Sequence, residues 1–306
     1  FANGKWASSS LESLEEKMMA IGSLILGIAA ATLTANSVVD GLQVDVMTFN
    51  IRYGTANDGD NAWPHRTEMV CAVIREAKPD FCGLQEALRY QIDAIHDGAP
   101  GYAEHGVGRE DGRQKGEYSA ILYRSDRWKL DRGGTQWLSD TPTVPGSATW
   151  GNTIPRIITW GRFIEKTTGR PVVVFNTHFD HQSQPSRLRS AMALASLIAE
   201  KADSEPVVVT GDMNAGEDNL AIVHLKQPGT NAKTALVDTF RVLYPNAKTV
   251  GTFNAFQGRT DGAKIDYVLT NPWAKVISAE ILRMNQDGRY PSDHFPVVAT
   301  IVFPAK

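Results

Sequence analysis

Eight polar residues could do chemistry in this sequence: Asn50, Glu86, His178, Asp212, Asn214, Asp266, Asp293 and His294. Each stands at or beside the end of a short apolar run. Asn50 follows Val46-Met-Thr-Phe, Glu86 follows Phe81-Cys-Gly-Leu-Gln, and His178 follows Val172-Val-Val-Phe-Asn-Thr. Asp212 follows Val207-Val-Val-Thr-Gly, Asp266 lies inside Lys264-Ile-Asp-Tyr-Val, and Asp293-His294 precede the last apolar run. One Asp at a strand end usually serves a turn, and one His usually packs in a core. Six such ends together are different, because strand ends can deliver side chains into one cleft on a rigid scaffold. The residue types are carboxylates, amides and imidazoles, with no Ser or Cys elbow. Hard oxygen donors suit Mg2+, with Mn2+ as the alternative. Imidazoles and amides donate to phosphate oxygens as charge develops on them. A carboxylate orients or deprotonates water.

The elements that must position these residues are readable from periodicity. Residues 43–51 alternate as a strand, and Asp80–Glu86, Tyr118–Tyr123, Ile157–Glu165 and Pro171–Thr177 read as strands too. Pro206–Thr210, Ile265–Leu269 and Val297–Val302 complete the set. Thr67–Ala77, Arg89–Asp97 and Ser186–Ala202 read as helices, the first stopped by Pro79. Residues 139–153, rich in Ser, Thr, Pro and Gly, predict a long loop. Strands joined by short turns predict antiparallel pairing with helices packed outside. One α/β domain is expected over 38–306.

Length and composition set limits on function. The 306 residues, 42 % hydrophobic and 21 % charged, can bury a sizeable core and exclude a disordered chain. The net charge of −3 and the lack of a Lys/Arg run give no support to tight, unspecific gripping of long nucleic acid. Cys71 and Cys82 are not at metal-ligand spacing, which argues against structural zinc. They read as buried free thiols, with a disulfide open if the protein is exported. The N-terminal segment 1–37 points to export. Lys17 precedes an uncharged, mostly apolar stretch over 21–33, and Ala35 and Ser37 stand at cleavage-site spacing. That layout predicts a signal peptide, a secreted or periplasmic protein, and no membrane span in the mature chain. Residues 1–17 contain no Met and read as lying upstream of a start at Met18 or Met19.

The motifs Thr48-Phe-Asn-Ile51, Gly83-Leu-Gln-Glu86, Asn176-Thr-His178, Thr210-Gly-Asp-Met-Asn214, Lys264-Ile-Asp-Tyr267 and Ser292-Asp-His-Phe-Pro296 occur in that order. In them the chain resembles the endonuclease/exonuclease/phosphatase superfamily, deoxyribonuclease I-like, in a bacterial secreted form. The resemblance covers about residues 44–300. It implies a four-layered α/β sandwich, two packed and mainly antiparallel sheets flanked by helices. It also implies roles. Glu86 would be the main Mg2+ ligand, with Asn50 and Asp293 completing the metal site directly or through water. Asp212 would activate the attacking water, and Asn214 would position water or phosphate. His294, paired with Asp266, and His178 would bind the phosphate oxygens.

Further residues carry two readings each. Arg156, after Pro155, stands where similar bacterial relatives often carry a Pro-Arg. It could grip a phosphate bidentately, or form a surface ion pair. Tyr118 could hydrogen-bond the phosphate, or pack in the core. Trp63, in a loop over residues 63–66, could stack on a base or sugar, or cap the core. His181 lies near His178, but at strand spacing the two face opposite sides, and Asp180 could orient His178 instead. Trp137, Trp150 and Trp160 could line the substrate rim or pack the long loop. The expected function is a metal-dependent hydrolase of phosphate esters, either diesters or monoesters. Nuclease action on DNA or RNA is the runner-up, and a binding or toxin-like subunit without activity comes third. Expected substrates are nucleotides, sugar phosphates, lipid headgroups or nucleic acid. No stable protein partner is implied.

Overall fold

The alternating run around residues 43–51 becomes β1 (Gly41–Asn50) at the centre of a six-stranded sheet. The computed structural model describes residues 41–227 and 234–305, so the expected signal segment lies outside the described residues. The first sheet runs β11 (Lys275–Ile281), β12 (Val297–Pro304), β1, β2 (Phe81–Gln85), β4 (Ile121–Arg124) and β3 (Tyr102–His105). The second runs β5 (Trp128–Trp137), β6 (Ile157–Glu165), β7 (Pro171–His178), β8 (Val207–Asp212), β10 (Asp266–Thr270) and β9 (Val237–Asp238).

Each sheet has one parallel pair, β1 with β2 and β7 with β8; the other pairings are antiparallel. A parallel pair ends side by side, so Asn50 lies opposite Gln85 and His178 opposite Asp212. The antiparallel β10 begins where β8 ends, with Asp266 opposite Asp212. β12 starts at the same end of β1, with Val297 opposite Thr48, so Asp293 and His294 enter there. Topology alone brings the six motifs to one edge of the sandwich.

Four layers follow from which face each strand buries. Val44, Val46, Phe81, Phe163, Val174 and Val268 pack between the sheets. The outer face of the first sheet is covered by α1 (Trp63–Ala77) and α2 (Arg89–Gly98), through Met47, Phe49, Val70, Ile74 and Ile92. The outer face of the second is covered by α3 (Gln184–Ala202) and α4 (Leu220–Lys226), through Phe175, Val209, Leu194, Ile198 and Ile222. A short α5 (Thr239–Leu243) adds Phe240 to the inter-sheet core. β7 and β8 are buried on both faces, which is why they read as continuous apolar runs.

Toward the motif end the inter-sheet core turns polar. Gln85 Nε2 donates to Asn176 Oδ1 at 2.7 Å and to Thr48 Oγ1 at 3.1 Å. Asn176 Nδ2 donates to the Leu84 and Ala120 carbonyls, and Thr210 Oγ1 donates to Asn176 Oδ1. All four residues are fully buried, so these bonds satisfy groups that would otherwise be costly there. Gly83 makes the close approach feasible: a Cβ on it would lie 2.1 Å from Thr210 Oγ1 and 2.6 Å from Asn176 Oδ1.

Several expectations need correction. The first helix starts at Trp63 rather than Thr67, because Pro64 sits in its first turn, where a missing N–H costs nothing. Residues 63–66 are therefore helical, and Trp63 is buried in the core beneath α1. The strand expected from Tyr118 begins at Ile121; Tyr118 itself forms an isolated bridge with Ala87. Cys71 and Cys82 are buried free thiols. Among the described residues, no helix is long and apolar enough to cross a membrane.

Candidate active site

At the motif end the two sheets leave a cleft of about 460 Å³. Glu86, His178, Asp212, Asn214, Asp293 and His294 line it. Asn50 and Asp266 are buried behind them and reach the cleft residues by hydrogen bonds. Asn50 Nδ2 donates to Glu86 Oε1 at 3.1 Å and to Asp212 Oδ2 at 2.9 Å, tying the two sheets together. Another groove, of about 390 Å³ and lined by Val73, Leu282 and Met284, contains none of these residues.

The backbone is strained where the site is built. Arg52, Glu86 and Asn214 have φ of 57°, 60° and 45°, a left-handed conformation that costs a side chain roughly 1 kcal/mol or more. Each follows a strand end and turns the chain sharply there. Glu86 is held by the Tyr53 N–H on Oε2 at 3.0 Å, and Asn214 by its own N–H on Asp212 Oδ1 at 2.9 Å.

The second half of the cleft is a set of coupled protons. His294 Nδ1 donates to Asp266 Oδ2 at 2.9 Å, and its Nε2 lies 3.8 Å from Asp212 Oδ2. Burial works against a charge on His294, but Asp266 and then Asp212 outweigh it, and the pKa ends well above the ordinary value. The two carboxylates thus favour the imidazolium form of His294. Asp212 is pushed up to about 7, first by burial and then by the like charge of Asp266. His178 is the opposite case. Asn214 Nδ2 donates to the Phe179 carbonyl at 3.1 Å, which identifies it as the amide nitrogen; its other proton goes to His178 Nε2 at 2.9 Å. His178 therefore accepts through Nε2 and is neutral. That agrees with a pKa driven down by burial and by Arg156 and Arg109.

The two halves differ in what they could hold. Asp212, Asp266 and His294 offer ligand atoms within 4.8 Å of one another, a grouping that could take a metal ion. Asp266 and Asp212 favour the protonated form of His294, however, so a proton competes with a metal for that grouping. Glu86 and Asp293 offer oxygen donors alone. Burial raises the Asp293 pKa against the lowering by His294, and the like charge of Glu86 adds to the rise, so a cation between the two carboxylates would be stabilising. Asn50 Oδ1 accepts the Arg52 N–H at 3.0 Å and keeps one lone pair. Oxygen-only donors suit a hard divalent ion such as Mg2+.

A scan of the sequence against family models matches the endonuclease/exonuclease/phosphatase family over residues 47–294. The chain belongs to that family. Among solved structures, a family member from Bacteroides vulgatus is similar at 34 % identity and TM-score 0.78, covering 85 % of this chain and 98 % of that one. A mannosyl-6-phosphatase from Bacteroides thetaiotaomicron is similar at 31 % identity and TM-score 0.76, covering 85 % of this chain and 100 % of that one. A protein of Acanthamoeba polyphaga mimivirus is 26 % identical over 214 residues, 67 % of this chain and 79 % of its own length. The two six-stranded sheets with flanking helices are the fold of this hydrolase family.

Within this family fold the remaining sequence expectations separate. Arg156 lines the cleft; its Nη2 donates to His181 Nδ1 at 3.0 Å, and its Nε lies 3.6 Å from Asp180 Oδ2. Tyr118 does not reach the cleft. Its hydroxyl donates to the Arg113 carbonyl at 2.9 Å and its ring lies under Arg89. His181 shares the cleft with His178, contrary to the alternation argument, because β7 ends at His178 and the chain turns. Asp180 does not orient His178: its Oδ1 accepts the N–H groups of Gln182 and Ser183, and His178 Nδ1 has no partner. Trp137 and Trp160 are buried and Trp150 bonds Asp140; none lines the cleft. Arg52, Arg109 and Glu117 do line it and were missed. Arg109 and Glu117 lie in the Gly-rich segment 106–117, with no apolar run before them to mark a strand end. Arg66 was also missed. This buried residue bonds the Ile51, Arg52 and Pro291 carbonyls and so ties the chain after Asn50 to the chain before Asp293.

Proposed function

We propose that the protein is a Mg2+-assisted hydrolase of small phosphate esters, with sugar phosphates the first substrates to try. The observation that carries this reading is one cleft in which an ionisable Asp212 beside a charged His294 faces the oxygen donors of Glu86 and Asp293. The similarity to a mannosyl-6-phosphatase points to the substrate class.

Glu86 and Asp293, with Asn50, would hold the ion, which supplies Lewis-acid neutralisation of the phosphoryl oxygens when bound. His294 carries the positive charge and donates from Nε2 to a phosphoryl oxygen, while Asp266 keeps it protonated. Asp212 accepts the proton of a water whose oxygen attacks phosphorus in line. The bond from phosphorus to the leaving oxygen breaks, and that oxygen is reprotonated from solvent. Asn214, locked by Asp212 and Phe179, holds neutral His178 in place beside the attack site. We extend the reading to an exported enzyme whose N-terminal extension, 1–37, contains a signal peptide; an intact residue 1 on exported material would overturn that part.

The test is a substrate panel on the full chain with Mg2+ and with chelator. It comprises mannose 6-phosphate, glucose 6-phosphate, 5′-AMP, bis-p-nitrophenyl phosphate, single-stranded RNA and duplex DNA. Mg2+-dependent turnover of the small esters, lost in Asp212→Asn, is the expected result. Absence of metal-dependent turnover on every substrate, or turnover of nucleic acid alone, would overturn it.

A further inference from the structure

One flank of the cleft is built from residues the hydrolytic reading leaves largely unused: Arg109, Glu117, Arg156 and His181. Arg109 and Glu117 face each other across the base of a hairpin. The Arg109 N–H donates to the Glu117 carbonyl at 3.1 Å, and Arg109 Nη2 donates to Glu117 Oε1 at 2.5 Å. The long loop over 139–153 is pinned to the same point, since Gly146 N–H and Trp137 Nε1 both donate to the Arg109 carbonyl. The arginine therefore sits on a rigid mount.

This flank has too many donors for its acceptors. Arg109, Glu117, Arg156 and His178 also wall a small recess behind the cleft. On these residues Arg109 Nε, Arg156 Nε and Nη1, and His178 Nδ1 are buried without a hydrogen-bond partner, Arg156 Nε keeping only the 3.6 Å contact to Asp180 Oδ2. Leaving a buried donor unsatisfied is costly, more so for a charged group. Of the two nearby carboxylates, Asp180 gives Oδ1 to the Gln182 and Ser183 N–H groups and offers Arg156 only Oδ2, 3.6 Å from Nε. Glu117 gives Oε1 to Arg109 Nη2, and burial raises its pKa against the pull of Arg109. His181 adds another donor. Arginine has no acceptor, so His181 Nδ1 accepts from Arg156 and the ring proton stays on Nε2. The arrangement has more buried donors than acceptor oxygens, and it adjoins the neutral His178 of the attack site.

We propose that Arg109, Arg156 and His181 form the seat for the extra charged oxygen of a phosphate monoester, so that this site selects monoesters over diesters. The proposal rests on the hydrolase reading above. A monoester dianion presents three non-bridging oxygens, and a diester replaces one of them with an uncharged ester arm. That arm would have to lie against two guanidinium groups, where it could neutralise neither.

The experiment compares p-nitrophenyl phosphate with methyl p-nitrophenyl phosphate, which share a leaving group and differ only in the third oxygen. Full-length wild type, Arg109→Gln, Arg156→Gln and the milder Arg156→Lys are assayed with Mg2+, with melting curves to confirm folding. The expected result is a fall of at least tenfold in the monoester-to-diester ratio of kcat/KM for both Gln variants, with Arg156→Lys between. An unchanged ratio, even with both rates lowered, would show a merely structural role and overturn the proposal. Calorimetry with inorganic phosphate in the presence of chelator gives a second readout. At least tenfold weaker binding in the Gln variants supports the seat, and equal binding overturns it. If the wild type cleaves neither ester, the hydrolase reading fails, while the phosphate titration still decides the seat.

Discussion

Replacing Asp266 with Asn isolates the charge that keeps His294 protonated. The two side chains are nearly the same shape, and the 2.9 Å contact to Nδ1 would survive as a neutral hydrogen bond. What disappears is the attraction between two buried unit charges. At an effective dielectric near 20 and a separation of ~4 Å, this is about 4 kcal/mol. A hundredfold change in proton affinity corresponds to about 2.7 kcal/mol, so the loss exceeds a hundredfold even if relaxation recovers a quarter of it. Burial, which already works against the charged form, would then prevail. The assay is a 15N NMR titration of the imidazoles alongside kcat/KM against pH. In the wild type the His294 signal should stay that of an imidazolium well above pH 6.5. In Asp266→Asn it should titrate lower, and kcat/KM near pH 7.5 should fall roughly 100-fold, the scale of losing one electrostatic donor. A variant whose His294 stays protonated, or whose rate is unchanged after His294 has lost its proton, would refute the reasoning.

Asp212 must be ionised to accept a proton, and its pKa is raised to about 7, so kcat/KM should fall about tenfold per pH unit below that point. A profile flat down to pH 5 would remove Asp212 from the role of base, as would more than about a tenth of normal turnover in Asp212→Asn. Glu86→Gln should raise the Mg2+ needed for half-maximal activity at least ~10-fold, by analogy with losses of supporting ligands; an unchanged metal titration would place the ion elsewhere. Gly83→Ala forces a methyl to within 2.1 Å of Thr210 Oγ1 and should cost about 1–3 kcal/mol in urea unfolding. A stability equal to wild type would mean that the two sheets separate there at no cost.

Much of the site was legible because of how it is built. A chain that buries both faces of a strand writes a continuous apolar run, and the polar residues that follow within a few positions mark the strand end. Val207–Val209 before Asp212 and Val172–Phe175 before His178 show this directly. Edge strands wrote no such signal. β5 carries Lys129, Asp131 and Arg132 and a Gly133–Gly134 pair, and it is a strand only because β6 lies beside it. β3 and β11 are edge strands of the same kind, half-exposed or alternating with polar residues. His181 escaped because the alternation rule ends with the strand, and the chain turns one residue later.

The sequence by itself determined which side chains stand at the strand ends, and with them the chemistry of oxygen donors, amides and imidazoles suited to phosphorus. Those are local facts, set by where apolar runs stop. The tertiary structure decided the state of each group. Asp266 and Asp212 converge on His294 from neighbouring antiparallel strands and favour its charged form, while burial, with Arg156 and Arg109 beside it, favours the neutral form of His178. Two histidines that look alike in sequence take different charge states because a proton responds to every charge within a few ångströms, and only the fold brings those charges near.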